Sequence, residues 1–272
     1  MPFAIAIATG LATTIGALPF LLLREVTRRL YDTLLGFGAG LMLAAATLGL
    51  LSTALEGVRA GGTLDLGRLL STLGGFGAGV GLLYAMDRLI PHQHARGHGT
   101  HVHEDHVHET AGSDPIAARL QAQKQGLLVV GVMSLHRLPE GFAIGAGWAA
   151  GGRALGLTLA VAVAVQNAVE GAVMAAPLRR GGLGVGRLLG LVSATGMAVP
   201  IGAIAGYFLS SLVPGALPPM LALAAGALLY LTCNEVIPES HSHGNEVRAT
   251  FGLLCGFVFI MVLGVLFGHT HS

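Results

Sequence analysis

The sequence predicts an all-α integral membrane protein in which eight transmembrane helices form one bundle. Of its 272 residues, 53% are hydrophobic and only 11% are charged, whereas a soluble domain has about 25% charged residues. Apolar stretches of about 20 residues, the length that a helix needs to cross a bilayer, follow one another along the whole chain. Polar, glycine or proline residues separate each stretch from the next.

The eight predicted spans form a single transmembrane domain over residues 1–272. The first lacks a basic region and a small-residue cleavage site, so we interpret it as a span and not as a signal peptide. Cys233 and Cys255 lie in apolar segments, which favours packed thiols over a disulfide. The predicted spans run at about 2–23, 33–55, 67–90, 125–148, 154–178, 186–210, 214–237 and 247–268.

The lysines and arginines between the spans predict the orientation, because cytoplasmic connections are enriched in these residues. The connections after spans 2, 4 and 6 hold only Arg59, Arg68 and Arg153. Those after spans 1, 3, 5 and 7 hold Arg24, Arg28, Arg29, Arg88, Arg96, Arg119, Lys124, Arg179, Arg180, Arg187 and Arg248. We therefore expect a multi-pass protein of the plasma (inner) membrane with both termini outside.

The third connection, 91–124, is long and rich in histidine. It contains HQHARGHGTHVHEDHVH (92–108), which is polar and lacks apolar periodicity, so we expect a disordered cytoplasmic loop. Its imidazoles favour weak, adaptable binding of Zn²⁺ or similar ions, and the alternative is a solvated linker. The candidate loop ligands are His92, His94, His98, His101, His103, His106 and His108.

Spans 4 and 5 carry ionisable and amide groups halfway along apolar segments, in LHRLPEGFAIG (135–145) and VQNAVEGAVMA (165–175). His136 and Glu140 are four residues apart and share a helix face, and Gln166 and Glu170 repeat that spacing. Such groups are costly at mid-bilayer unless they pair or hold an ion. We therefore predict a central divalent-metal site between helices 4 and 5, with a buried polar network that only ties the helices as the alternative.

Arg137 is the one lysine or arginine inside the core of a predicted span. It lies three residues before Glu140, on a neighbouring part of the same helix face, and its charge persists at ordinary pH. We predict that it pairs with Glu140 or Glu170 and takes the place of a second metal ion, leaving a mononuclear site. The alternative is that it snorkels away or pairs elsewhere.

These residues resemble the ZIP family of metal transporters, whose paired motifs read here HRLPEG and QNAVEG. The resemblance extends to eight spans, outside termini, a His-rich third loop and IPESH (237–241). It implies a homodimer that moves divalent metal toward the cytoplasm. It also implies that the metal ligands are His136, Glu140, Gln166 and Glu170, with Met42 as an added thioether ligand or else a core residue.

The chain departs from the family pattern at a second, adjacent metal site. The corresponding positions are Arg137, Asn167 and Val199, and two of these three residues lack an oxygen ligand. The departure supports one metal ion in the central site.

At the cytoplasmic end of span 7, Glu235, Glu239, His241 and His243 are candidates for an exit station, with Asp87 beside the His-rich loop as a weaker one. The alternative is a set of ordinary interfacial polar residues.

Transport of a divalent metal is the function that the sequence favours. Zinc is the first choice of cargo, Cd²⁺, Fe²⁺ and Mn²⁺ also fit the ligand set, and no resident cofactor is expected. The chain has no P-loop and no HExxH motif, which argues against ATP drive and against a zinc hydrolase. No basic stripe with aromatic residues points to nucleic acid. A membrane metal sensor or transport-inactive relative remains the alternative because of Arg137.

Overall fold

Helices make up the regular structure of the protein wherever the chain is described. The structure is a computed structural model that describes residues 2–22, 27–58, 65–89, 115–180, 183–213 and 215–268, and these ranges contain no strand. The predicted all-α class is confirmed. The histidines of 92–108 lie outside the described residues, so metal binding by that segment stays a prediction.

The helices follow one another along the chain, and we label them α1 to α8. Two of them, α2 and α7, pass through a π-helical section before they end. The helices are α1 (Pro2–Leu22), α2 (Arg28–Ala44, then Ala45–Leu51 as π-helix and Ser52–Val58), α3 (Leu66–Leu89), α4 (Pro115–Arg180), α5 (Val185–Gly196), α6 (Ala198–Leu212), α7 (Leu217–Leu231, then Thr232–Val236 as π-helix and Ile237–Ser240) and α8 (Glu246–Gly268).

Among the described residues, seven helical segments are long and apolar enough to cross a membrane. They match the predicted spans 1–3 and 5–8 and cover Pro2–Pro19, Arg28–Val58, Leu66–Arg88, Arg153–Ala172, Val185–Leu212, Leu217–Ser240 and Glu246–Leu266. The predicted fourth span, 125–148, is helical but is not in this set, so the count of eight stays a prediction.

Helix α4 begins within the predicted third connection, 91–124. The helix starts at Pro115, so residues 115–124 are helical, and the boundary between this connection and the fourth span stays a prediction. The segment 115–124 reads PIAARLQAQK. It therefore has a proline at the first helical position, followed by strong helix formers.

Predicted spans 4 and 5 belong to the same helical segment, α4, which folds back on itself. Glu140 is hydrogen-bonded to Gln166, and Arg137 is hydrogen-bonded to Glu170. The midpoint of each pair along the sequence is near residue 153. The arms are therefore antiparallel, and we call 115–150 the first arm and 153–180 the second arm. The sequence AAGG (149–152) lies between the two arms.

Helix α1 and helix α6 pack on the two arms at glycine contacts. A Cβ atom on Gly171 would overlap the carbonyl oxygen of Thr13 in α1. On the first arm, a Cβ atom on Gly141 would overlap the carbonyl oxygen of Val199 in α6. Small residues permit such close helix approach in membranes. These contacts bring α1 and α6 alongside the polar groups of the two arms.

The cysteine prediction was half right. Both Cys233 and Cys255 are free thiols, as expected, but both side chains are exposed and not packed inside the bundle. In a membrane protein an outward-facing side chain meets lipid, where a weakly polar thiol carries little cost.

Candidate metal site

The two arms of α4 bring Glu140, Gln166 and Glu170 together in the interior. Gln166 Nε2 donates to Glu140 Oε1 over 3.1 Å and to Glu170 Oε1 over 2.9 Å. Glu140 and Gln166 are buried, and the Glu170 side chain is 15% exposed. The i, i+4 spacing in each arm and the antiparallel pairing of the arms explain why residues 26 to 30 positions apart meet. The predicted grouping of these three residues is therefore present.

Arg137 lies against the same cluster and is fully buried. Its Nη2 atom is 3.0 Å from Glu170 Oε2, and its Nη1 atom donates a short hydrogen bond to the hydroxyl of Thr13 in α1. The predicted ion pair is therefore present, with Glu170 as the partner. Thr13 was missed, because no sequence pattern links α1 to the arms of α4.

One oxygen of Glu140 has no hydrogen-bond donor. Glu140 Oε2 is buried and receives no bond from any described residue. Buried polar atoms are almost always paired, so an unpaired carboxylate oxygen marks a place suited to a cation. When both carboxyl groups are ionised, the two carboxylates and one guanidinium leave the cluster with one negative charge in excess.

The positions of the predicted second site supply fewer oxygen ligands than the family pattern. Asn167 Nδ2 donates to the carbonyl oxygen of Thr9 over 3.1 Å, and its buried Oδ1 atom has no hydrogen-bond partner among the described residues. Val199 is fully buried and apolar. Arg137, which is paired with Glu170, and Val199 have no oxygen on their side chains, whereas Asn167 keeps an amide oxygen.

His136 lies one helical turn from Glu140 and joins a second group of possible ligands. Its Nε2 atom is 3.5 Å from Glu235 Oε1. Ligand atoms of Asp87, His136 and Glu235 all lie within 4.8 Å of one another. Asn234 Nδ2 also donates to Asp87 Oδ2 over 3.1 Å. The structure thus links a predicted central ligand to two residues predicted for the exit.

The π-helical section of α7 carries Glu235. Thr232–Val236 has π-helical winding, and Thr232 Oγ1 donates to the carbonyl oxygen of Leu228. The extra residue in such a turn re-aims the side chains that follow, and π-bulges are common at functional sites. No signal in the sequence marks this section.

The remaining candidates lie elsewhere. Met42 is 2% exposed within the hydrophobic core, and its role as a ligand stays a prediction. Glu239 accepts a hydrogen bond from the Tyr31 hydroxyl, and His241 contacts the Thr250 hydroxyl at 3.0 Å. His243 Nδ1 is 2.9 Å from Asp32 Oδ1. These three residues connect the end of α7 to α2 and α8, so the structure does not join them to Glu235.

Comparison with known proteins gives matches along nearly the whole chain. The family model described as ZIP zinc transporter matches residues 2–264. Zinc transporter ZIPB of Bordetella bronchiseptica is 38% identical over 260 residues, which cover 94% of this chain and 78% of that protein. Zinc transporter GufA of Myxococcus xanthus is 36% identical over 264 residues and covers 97% of both. Zinc transporter ZupT of Chlorobium luteolum is 31% identical over 268 residues and covers 96% of both.

Proposed function

This chain belongs to the ZIP zinc transporter family, and we propose that its metal passes between the two arms of α4, bound by Glu140 and Glu170. The predicted family is confirmed. The chain is a membrane zinc transporter with zinc as its substrate, since its matched relatives are zinc transporters and its helices suit a bilayer. Family members are transporters rather than enzymes.

The observation that carries the proposal is the pair of buried carboxylates on facing arms, one of which has an oxygen without a donor. Gln166 now donates to both carboxylates. Rotation of its side-chain amide by half a turn would replace the two N–H groups with the oxygen Oε1, which can bind a cation. Glu140, Glu170 and Gln166 then supply oxygen ligands and His136 supplies nitrogen, a mixed set that suits Zn²⁺.

One metal ion occupies this site at a time. Arg137 bonds to Glu170 and Thr13, so a positive charge already lies where a second cation would balance the carboxylates. Asn167 is bound to the backbone of α1 through Nδ2, so only its Oδ1 atom is left as a ligand, and Val199 offers no ligand atom on its side chain. These contacts support Arg137 as a substitute for the second metal.

Asp87, His136 and Glu235 form the next station on the way to the cytoplasm. His136 is one turn from Glu140 on the first arm, and its Nε2 atom is 3.5 Å from Glu235 Oε1 on α7, so we place its imidazole between the two stations. The three residues lie toward the side on which α3 ends and α4 begins. That side carries the cytoplasmic third connection in the predicted orientation.

The family resemblance and the pattern of lysines and arginines support a proposed membrane, oligomeric state and orientation for the protein. The protein lies in the inner membrane as a homodimer of eight-span chains, with both termini outside. Zinc is the first choice of cargo, and Cd²⁺, Fe²⁺ and Mn²⁺ are further candidates that fit the ligand set. The alternative function is a metal sensor or a transport-inactive relative. The buried Arg137–Glu170 ion pair favours it, because a permanent charge in the path opposes cation passage.

Zinc uptake into proteoliposomes tests the transport path. Glu140→Gln is the cleaner variant, because Glu170→Gln also removes the partner of Arg137. We expect loss of uptake in both variants and unchanged uptake in Glu56→Gln, which alters an exposed carboxylate on α2. Normal uptake by folded Glu140→Gln would refute the path. Wild-type protein that binds zinc without uptake would establish the sensor alternative.

A further inference from the structure

The beginnings of α2 and α8 border a basic cavity that is open to the surface and lies apart from the metal path. Its volume is about 630 Å³, and no aspartate or glutamate is among the described residues that line it. We propose that this cavity binds a phosphate group, supplied by the headgroup of an anionic phospholipid. The lining side chains used in the argument are Arg28, Arg29, Arg248, His243 and Asn245.

The three arginines are available to a ligand. All three are exposed, and their guanidinium groups form no hydrogen bond or ion pair with another described residue. Arg68, by contrast, lies 3.3 Å from the carboxylate of Asp65. The planar fork of a guanidinium matches the oxygens of a phosphate, which is why arginine is preferred in phosphate recognition.

Two helices begin at the cavity and add to its positive potential. Helix α2 starts at Arg28, directly after Thr27, and helix α8 starts at Glu246, directly after Asn245. The carbonyl oxygen of Asn245 accepts the backbone N–H groups of Arg248 and Ala249. At the start of α2, Thr27 Oγ1 accepts the N–H of Leu30. The helix dipole at each start favours an anion. These two starts reinforce the arginines.

A buried carboxylate holds the cavity wall in place. Asp32 of α2 is fully buried; its Oδ1 atom is 2.9 Å from His243 Nδ1, and its Oδ2 atom accepts from Asn245 Nδ2 over 2.8 Å. The contacts with Asp32 therefore hold the side chains of His243 and Asn245 in position, and the ring of Tyr31 meets that of His243 edge-on. The cavity wall is ordered by these contacts before a ligand arrives.

The position of the cavity favours a lipid over free phosphate. It lies at the end of two candidate spans, Arg28–Val58 and Glu246–Leu266, which is the level of the headgroups. Beside it α8 exposes Val247 (69%) and Phe251 (63%), and these apolar side chains offer a surface to acyl chains. Basic pockets between helices on the cytoplasmic side are suited to anionic headgroups. A free phosphate ion would use the arginines but not the apolar face.

Lipid retention by the purified full-length protein tests the proposal. Protein in mixed micelles with equal phosphatidylglycerol and phosphatidylcholine would be examined by native mass spectrometry. We expect preferential retention of phosphatidylglycerol, reduced more than about tenfold in the triple variant Arg28→Gln, Arg29→Gln, Arg248→Gln. Arg187→Gln, which alters an exposed arginine on α5 outside the cavity, should retain the lipid normally.

Three results would overturn the proposal. One is equal retention of the two lipids by the wild type, and another is unchanged retention of phosphatidylglycerol by the triple variant. The third is displacement of phosphatidylglycerol by an equal concentration of inorganic phosphate or glycerol 3-phosphate, which would make the soluble anion the ligand. Should the triple variant misfold, Arg248→Gln alone is expected to lower retention by about fivefold, and no loss there would have the same meaning.

Discussion

Replacing Arg137 by asparagine should turn a one-metal site into a two-metal site. The substitution removes the positively charged guanidinium that pairs with Glu170 and donates to Thr13, and it introduces an amide oxygen. With one Zn²⁺ bound, the two carboxylates and the ion have a net charge of +1 together with Arg137 and of 0 without it. The repulsion of a second cation is therefore smaller in the variant, and the new amide oxygen adds a ligand, so metal occupancy should rise from one ion to two per protomer.

The distance of 3.0 Å between Arg137 Nη2 and Glu170 Oε2 determines how strongly the two charges attract, and hence how much stability the substitution removes. At an effective dielectric constant of about 20, their attraction is about 5.5 kcal/mol. Removal of one partner of a buried ion pair costs about 3–5 kcal/mol, because the remaining charge has no compensation. Metal-free Arg137→Asn should therefore be much less stable than the wild type. Zinc at about 100 times its dissociation constant would restore about 2.7 kcal/mol.

The assay measures zinc per protomer together with thermal stability over a zinc titration. Both are measured in a background that lacks 92–108, so that the loop histidines do not contribute bound metal. Arg137→Lys is the matched control, since it keeps a positive charge at the same position. We expect two ions and a large zinc-dependent stabilisation for Arg137→Asn, and one ion for Arg137→Lys.

A single ion in folded Arg137→Asn would refute the idea that Arg137 replaces a metal. Two ions in Arg137→Lys would refute it as well, because the charge would then not be what excludes the second cation.

Three further predictions concern the surroundings of the site. Thr13→Val removes the hydroxyl that accepts from Arg137, so stability in a thermal unfolding assay should fall by about 1–3 kcal/mol, and an unchanged midpoint would contradict the contact. Gly171→Ala places a Cβ on the backbone of α1 and should cost about 1–3 kcal/mol. In the same assay Gly190→Ala, where the Cβ meets nothing within 4 Å, should be neutral or stabilising. Deletion of 92–108 should lower total bound metal while zinc uptake through the core stays measurable, and a folded deletion without uptake would disprove that independence.

Local sequence was enough for the span positions and for much of the central site. Hydropathy located the seven candidate spans because the cost of polar residues in lipid acts on each segment separately. The four-residue spacing in each arm placed Glu140, Gln166 and Glu170 on facing surfaces, as the structure has them. The cost of a buried charge predicted that Arg137 would pair with a carboxylate, although the sequence did not decide between Glu140 and Glu170.

The rest depended on how the helices pack, and no periodicity within one segment contains that information. Thr13 and Arg137 are 124 residues apart, and Thr9 and Asn167 are 158 apart; they meet because glycines let α1 approach the second arm. Asp87, His136 and Glu235 converge from three different helices, partly through the π-helical turn in α7. Side-chain spacing follows from the geometry of one helix, whereas these contacts follow from the distances and rotations between helices, which exist only once the bundle has formed.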